Sequence, residues 1–138
     1  MIRVVVDTSA LVSAVISPTG PNAQLFDFIV SKQIRPYFTD DVLVEYYTVF
    51  DYKHLRQYNR RRVARLRDLL EYTGIKVKSR GRLKISSHET DNRIYECAQA
   101  AKAHYIITEN TKHFPKAHAY TKIITARQLL RLLEAGGA

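Results

Sequence analysis

The sequence predicts one α/β domain, residues 1–138, with a mostly parallel central sheet. Strand-like and helical segments alternate along the chain, which is the order that produces parallel strands. No internal repeat, low-complexity stretch or linker interrupts this alternation, and 138 residues is a common size for one domain. Runs rich in β-branched or aromatic residues predict strands at 4–6, 35–38, 75–78, 105–108 and 122–124.

The segments between these strands have the apolar periodicity of amphipathic helices. Thr8 or Ser9 can cap the first helix, Thr39 or Asp40 suits the cap of a later one, and Thr125 suits the cap of the last. The predicted helices cover 10–16, 21–31, 41–50, 60–73, 91–101 and 126–133.

The composition restricts the class of protein. Cys97 is the single cysteine, so it cannot form an intramolecular disulfide, and its helical surroundings predict a buried structural thiol. The chain begins directly with strand-forming residues, so we expect no signal peptide. No apolar run approaches the roughly 18 residues of a membrane span. We therefore expect a cytoplasmic protein with no membrane contact.

The net charge of +9 is concentrated in the middle of the chain. Residues 51–85 hold 12 basic and 3 acidic side chains, whereas residues 1–50 hold 3 basic and 5 acidic. This surplus favours a polyanion, most simply a nucleic acid, although a solvated basic helix with no partner explains the charge equally well. Tyr52 and Tyr58 beside the arginines can stack on bases or simply pack. The arginines predicted to contact nucleic acid are Arg56, Arg60, Arg61 and Arg65.

Three carboxylates stand out by their positions. Asp7 follows a run of valines, at the carboxyl end of a predicted strand, where open α/β sheets bind ligands. Glu45 shares a helical stripe with two valines, so it points inward unless it lies at the edge of the stripe or pairs with an arginine. Asp91 stands where a helix begins, and an N-cap is the simplest explanation. We expect Glu96 to be exposed and His88 to lie on the surface.

These carboxylates predict a cation site. Polar residues also end the strand at 105–108, so the ends of two strands and two helices converge at one rim. Asp7, Glu45 and Asp91 would repel one another there unless a hard cation lay between them, and oxygen ligands suit Mg²⁺ or Mn²⁺. Such a cation can acidify a bound water and stabilise the leaving oxygen of a phosphodiester. A basic surface beside an acidic pocket indicates a nuclease.

Motifs for other activities are missing from the sequence. It contains neither GxGxxG nor GxxxxGK[ST], and no pair of cysteines or histidines at zinc-binding spacing. A receiver-like fold also has an aspartate at a strand end but needs an acidic pair there, and Asp7 stands alone.

Four parts of the sequence carry a family resemblance: residues 5–14, Glu45 in its helix, and the stretches 91–98 and 103–108. Together they resemble the PIN-domain family, most closely its VapC-like toxins of bacterial toxin–antitoxin systems. The resemblance implies a three-layer α/β/α PIN-like fold. It implies an endoribonuclease that uses Mg²⁺ or Mn²⁺ and a metal-activated water to hydrolyse RNA. It also implies a homodimer and a cognate antitoxin protein.

The resemblance assigns roles to individual residues. Asp7, Glu45 and Asp91 match the first three metal-binding, catalytic acids of the family. Ser9 matches a small hydroxyl that supports the first acid. Thr108 matches a hydroxyl near the end of the family's last strand. In this interpretation the arginines of residues 51–85 bind RNA.

The chain departs from the family at the fourth acid. Where Thr-Gly-Asp is common, it has Thr108, Glu109 and Asn110, so a neutral amide replaces a carboxylate. Two interpretations follow: an active metal-dependent ribonuclease, or a catalytically weak or inactive PIN module that binds RNA or an antitoxin. A structural partner in DNA processing fits the charge but nothing else.

Overall fold

The computed structural model describes residues 1–51, 55, 57–114 and 117–136. Within these residues the strands are β1 (Ile2–Val6), β2 (Ile34–Phe38), β3 (Ile75–Lys76), β4 (Tyr105–Ile107) and β5 (Lys122–Ile124). They form one sheet in the order β3-β2-β1-β4-β5, and every pair is parallel. All the carboxyl ends therefore lie at one edge of the sheet, where β1 and β4 are neighbours.

Helices cover the sheet on both faces. In the same described ranges they are α1 (Thr8–Ile16), α2 (Pro21–Val30), α3 (Asp40–Phe50), α4 (Arg60–Thr73), α5 (Glu89–Ala101) and α6 (Ala126–Glu134). α5 packs across β1, β2 and β4, α2 contacts α1, α4 and α6, and α3 touches both α1 and α5. The fold is therefore a three-layer α/β/α fold, as predicted, and its sheet is wholly parallel.

The valines of β1 show why this strand is central. Val4, Val5 and Val6 are at most 1% exposed, so both faces of the strand are covered. A parallel strand covered on both faces needs a continuous apolar run rather than alternation. The first polar residue after the run, Asp7, is thereby delivered to the carboxyl edge.

The elements follow the predictions with small differences at their ends. β3 is two residues shorter than predicted, and α1 begins two residues earlier. Asp7, rather than Thr8 or Ser9, occupies the N-cap position of α1, and its side chain makes no capping hydrogen bond. Thr39 caps α3 through Val42 N at 3.2 Å, and Thr125 begins α6 with a reciprocal capping box.

The sequence predicted the burial of one residue of α5 correctly and that of another wrongly. Cys97 is buried as expected, and burial raises the pKa of its thiol to about 12. The prediction that Glu96 is exposed was wrong, since only 1% of it is exposed. Its carboxylate accepts a hydrogen bond from Leu83 N at 2.8 Å and pairs with Arg93 at 2.8 Å, which offsets the cost of burying the charge. None of the described helices is long and apolar enough to span a membrane.

Candidate active site

Asp7 lies at the carboxyl end of β1 and is almost completely buried, with 7% of its surface exposed. Ser9 Oγ and Thr108 Oγ1 donate hydrogen bonds to Asp7 Oδ2, at 2.7 and 2.8 Å. The Asp7 backbone N–H donates to Ile107 O at 2.9 Å, which joins the ends of β1 and β4. Because both hydroxyls bond Oδ2, neither of them uses Oδ1.

The turn after β4 completes this network with backbone groups. Glu109 N donates to Ser9 Oγ and Asn110 N donates to Thr108 Oγ1, each at 3.0 Å. Each hydroxyl thus accepts one N–H and donates its own proton to Asp7, which fixes the orientation of the carboxylate. The Glu109 carboxylate accepts a hydrogen bond from Asn22 Nδ2 of α2 at 2.7 Å. The structure therefore brings Ser9 and Thr108 onto Asp7 and ties Glu109 to α2.

Glu45 reaches the same region from α3 and is partly buried. Burial, and then the negative charge of Asp7, raise the pKa of Glu45, so the two carboxylates are within electrostatic reach. The next residue, Tyr46, is buried and donates a hydrogen bond to Val6 O at 2.6 Å. This bond holds α3 against the last residue of β1, and Glu45 is thereby kept beside Asp7.

Asp91 is the third residue of α5 and is 7% exposed. His88, not Asp91, occupies the N-cap position of this helix, so the capping explanation does not apply. Burial, and then the negative charge of Asp7, raise the pKa of Asp91, while His113, His88 and a hydrogen bond from Ser86 act in the opposite direction. Asp7 therefore lies within electrostatic reach of both helical carboxylates.

A small cleft of about 40 Å³ opens between α1, α3 and α5 at this edge. It brings Asp7 and Glu45 together and adds two charged residues that the sequence did not single out, Asp41 and Arg93. Helical periodicity gives no signal for Arg93, because its partners in the fold decide where it points. The residues that line the cleft are Asp7, Thr8, Asp41, Val42, Glu45, Thr90, Arg93 and Ile94.

Two buried polar residues of α5 hold the segment before the helix. Asn92 is fully buried, and its Oδ1 accepts hydrogen bonds from Ile85 N and Ser86 N, at 3.0 and 2.8 Å. Its Nδ2 donates to Ser86 O at 2.9 Å. Glu96 performs the same function at Leu83. Sequence reasoning missed both residues, because their partners are backbone groups in a loop without a periodic pattern.

The carboxylates provide oxygen donors of the kind that a hard divalent cation prefers. Burial, and then the negative charge of Asp7, raise the pKa values of Glu45 and Asp91, and a cation would relieve the second of these two effects. Across residues 1–51, 55, 57–114 and 117–136, no three His, Cys, Asp or Glu side chains are grouped closely enough to hold a metal ion as they stand. The donor chemistry fits a divalent cation, while the side chains are not gathered around one.

Three of the arginines predicted to bind nucleic acid, Arg60, Arg61 and Arg65, are not among the residues that line the cleft. Arg61 and Arg65 line a groove between α2 and α4, whose lining residues do not overlap with those of the cleft. Arg60 is exposed at the start of α4. Arg56 and Tyr52 lie outside the described residues.

Comparison with known families adds an independent finding. The sequence model of the PIN domain family matches residues 3–112, which include Asp7, Glu45, Asp91 and Asn110. No curated protein matches the chain. The match covers most of the chain and agrees with its three-layer fold. The chain therefore belongs to the PIN domain family, whose members are generally nucleases that depend on divalent metal ions.

Proposed function

We propose that the protein is an endoribonuclease in which Asp7, Glu45 and Asp91 hold Mg²⁺ or Mn²⁺. The observation that carries the proposal is the placement of the acids: Asp7 and Glu45 line one cleft at the carboxyl end of β1, and Asp91 lies within electrostatic reach of Asp7. Carboxylates from a strand end and from two helices thus act on one another in a fold whose family generally cleaves nucleic acid.

A bound cation explains the use of three acids. Burying like charges together is unfavourable unless a counter-charge lies between them. The chemistry that a divalent cation supplies in an acidic site is acidification of a water molecule and neutralisation of charge on the phosphodiester.

The residues around the acids have supporting roles in this proposal. Ser9 and Thr108 fix Asp7 Oδ2, which leaves Oδ1 in a defined orientation for a ligand. Arg93 lines the cleft, so it can contact a phosphate there while Glu96 holds its guanidinium group. Arg60, Arg61 and Arg65 of α4 are proposed as additional RNA contacts outside the lining of the cleft, and Arg56 is proposed as a further contact.

Cleavage of a mixed pool of single-stranded and structured RNA tests the function. Purified protein is assayed with Mg²⁺, with Mn²⁺ and with EDTA, beside the Asp7→Asn variant as the control for contaminating nuclease. We expect cleavage that requires the metal and is lost in the variant. Equal cleavage by the variant would remove the assigned site.

The finer proposal is that the protein is the VapC-like toxin of a toxin–antitoxin pair, acting as a homodimer and inhibited by a cognate antitoxin. It is supported by the motif set around Asp7, Glu45 and Asp91. Induction in a bacterial host tests it: we expect growth arrest by the wild-type protein and normal growth with Asp7→Asn. Normal growth with both proteins would argue against a toxin.

Asn110 favours a second candidate, a PIN module that binds RNA or an antitoxin with little or no catalysis. Its backbone N–H donates to Thr108 at the strand end, so Asn110 lies next to the Asp7 network, and its side chain carries no charge. RNA binding without cleavage under any metal would make this candidate the better one.

A further inference from the structure

We propose that residues 76–84, which we name the basic segment, guide the backbone of single-stranded RNA into the acidic cleft. The inference rests on the proposed ribonuclease function, because it assigns a substrate path to that site. The basic segment starts at the end of β3 and has no acidic residue. Its basic residues are Lys76, Lys78, Arg80, Arg82 and Lys84.

Every second residue of the basic segment is basic, and exposure follows the same alternation. All five basic residues are exposed, whereas Val77, Ser79 and Leu83 between them are only partly exposed. Val77 and Leu83 pack against the core, and Val77 N donates to Phe38 O at 2.8 Å. The alternation of exposure is interrupted at Gly81, which is exposed as well and has a φ of 155°, so the chain bends there. The apolar residues Val77 and Leu83 thus hold the basic segment on the core, and the cationic side chains project into solvent.

Two ion pairs join the basic segment to the rim of the cleft. Lys76 Nζ lies 3.0 Å from Asp40 Oδ1, and Arg82 Nη1 lies 3.1 Å from Asp41 Oδ2. Asp41 itself lines the cleft. Arg82 also lies 3.4 Å from the buried Glu96. The basic segment is therefore fixed next to the acidic cleft through α3 and α5.

Three cations of the basic segment remain available for a ligand. Among the residues that the structure describes, Lys78, Arg80 and Lys84 form no ion pair. A row of free cations beside an acidic pocket attracts a polyanion that must be brought to that pocket. This geometry differs from that of the α4 arginines, whose groove shares no lining residue with the cleft.

The chemistry of the basic segment favours the RNA backbone over the bases. It carries no aromatic side chain, so it offers phosphate contacts without base stacking. The cleft is small, about 40 Å³, and lies between three helices, so a flexible single strand can approach it more closely than a base-paired helix can. We therefore assign a single strand to this path, bound with little dependence on sequence.

The test compares two triple variants in the Asp7→Asn background, so that RNA stays intact. The first reverses Lys78, Arg80 and Lys84 to glutamate. The matched control reverses three exposed residues at the opposite end of the sheet, in β5 and α6, and changes the net charge equally: Lys122, Arg127 and Arg131. The affinity for a single-stranded RNA is measured over a range of salt concentrations, and thermal melting checks folding.

We expect the first variant to lose at least about tenfold in affinity near physiological salt, and its salt slope to fall by about 2, since each phosphate contact on a single strand contributes about 0.7. The control should lose clearly less. Equal affinities for the two folded variants would overturn the proposal and leave an acidic protein as the occupant of the basic segment.

A second measurement separates this inference from the ribonuclease proposal. In the wild-type background the same reversal should raise the KM for RNA more than it lowers kcat. If the wild-type protein cleaves no RNA, but only the first triple variant loses RNA affinity, the RNA path stands and the ribonuclease proposal fails.

Discussion

The three proposed metal-binding carboxylates lie in two different environments, and Asp91 is not among the residues that line the cleft. On the strand side, Asp7 accepts hydrogen bonds from two hydroxyls, which are themselves fixed by backbone N–H groups of the β4 turn. On the helix side, Glu45 and Asp91 have raised pKa values, caused by burial and by Asp7. Burial and a like charge disfavour the charged form of a carboxylate. The strand side thus fixes the orientation of the Asp7 carboxylate, and the pKa values of the helix-side carboxylates respond to the charge of Asp7.

The largest effect is expected from removing the fixed charge. Asp7→Asn should lower metal-dependent cleavage by at least about a hundredfold, because substituting residues that merely orient a metal ligand already costs 10–100-fold. Cleavage rates with Mg²⁺ and Mn²⁺ give the measurement. Asp27→Asn, an exposed aspartate of α2, is the matched control and should cleave normally. Similar rates for both variants would contradict the central role of Asp7.

The Asp7→Asn variant should also change the pKa values of the carboxylates on the helix side. Without the negative charge at residue 7, the pKa values of Glu45 and Asp91 should both fall toward the ordinary carboxyl range. Carboxyl NMR titration of the metal-free protein measures this. If neither pKa moves, the three groups do not form one electrostatic unit.

The raised pKa values also set the pH dependence. In the metal-free protein, Glu45 and Asp91 bind protons more readily when folded than when unfolded. Their contribution to the free energy of unfolding should therefore fall as pH rises from the ordinary carboxyl pKa through the raised folded values. Metal binding should weaken as pH falls through the same window. Glu45→Gln and Asp91→Asn should each flatten the stability profile, and melting at several pH values checks this.

A smaller effect is expected from the hydroxyls on the strand side. Ser9→Ala and Thr108→Val each remove a donor to Asp7 Oδ2. Each also leaves a backbone N–H without its acceptor, Glu109 N in the first variant and Asn110 N in the second. We expect about 1–3 kcal/mol of lost stability for Thr108→Val and a cleavage rate about tenfold lower. Thr111→Val, at an exposed threonine three residues away, is the control. Equal behaviour of the two threonine variants would show that the Asp7 network does not matter.

Adding a negative charge on the strand side should have the opposite effect to removing Asp7 and should raise metal affinity and cleavage. Asn110→Asp places a fourth carboxylate beside Thr108, and we expect tighter Mn²⁺ binding and cleavage several-fold faster, since ligand charge governs affinity at such sites. If the variant cleaves RNA and the wild-type protein does not, the binding module describes the natural chain. An unchanged rate would show that Asn110 does not limit activity.

The smallest effect is expected outside the cleft. Arg61→Glu with Arg65→Glu should weaken RNA binding modestly and reduce its salt dependence, because these residues line a separate groove on α4. Filter binding at several salt concentrations measures both quantities. An unchanged salt slope would remove α4 from the RNA interface.

The parts of the fold and site that the sequence predicted depend on local pattern. The valines before Asp7, the stripe that includes Glu45 and the cap at Thr125 each involve neighbouring residues only. The missed features depend on partners that are distant or lie in loops. Tyr46 bonds Val6, 40 positions away, and Glu96 is buried only because Leu83 and Arg93 meet its charge. No periodicity in the sequence encodes such a pairing.

Mn²⁺ binding tests the central claim most directly, because it requires neither substrate nor turnover. Electron paramagnetic resonance measures free Mn²⁺ during titration of the wild-type protein, Asp7→Asn and Asp27→Asn. The account predicts saturable binding that Mg²⁺ displaces, kept in Asp27→Asn and weakened at least about tenfold in Asp7→Asn. Equal binding by Asp7→Asn and the wild-type protein would contradict a cation site formed by Asp7, Glu45 and Asp91.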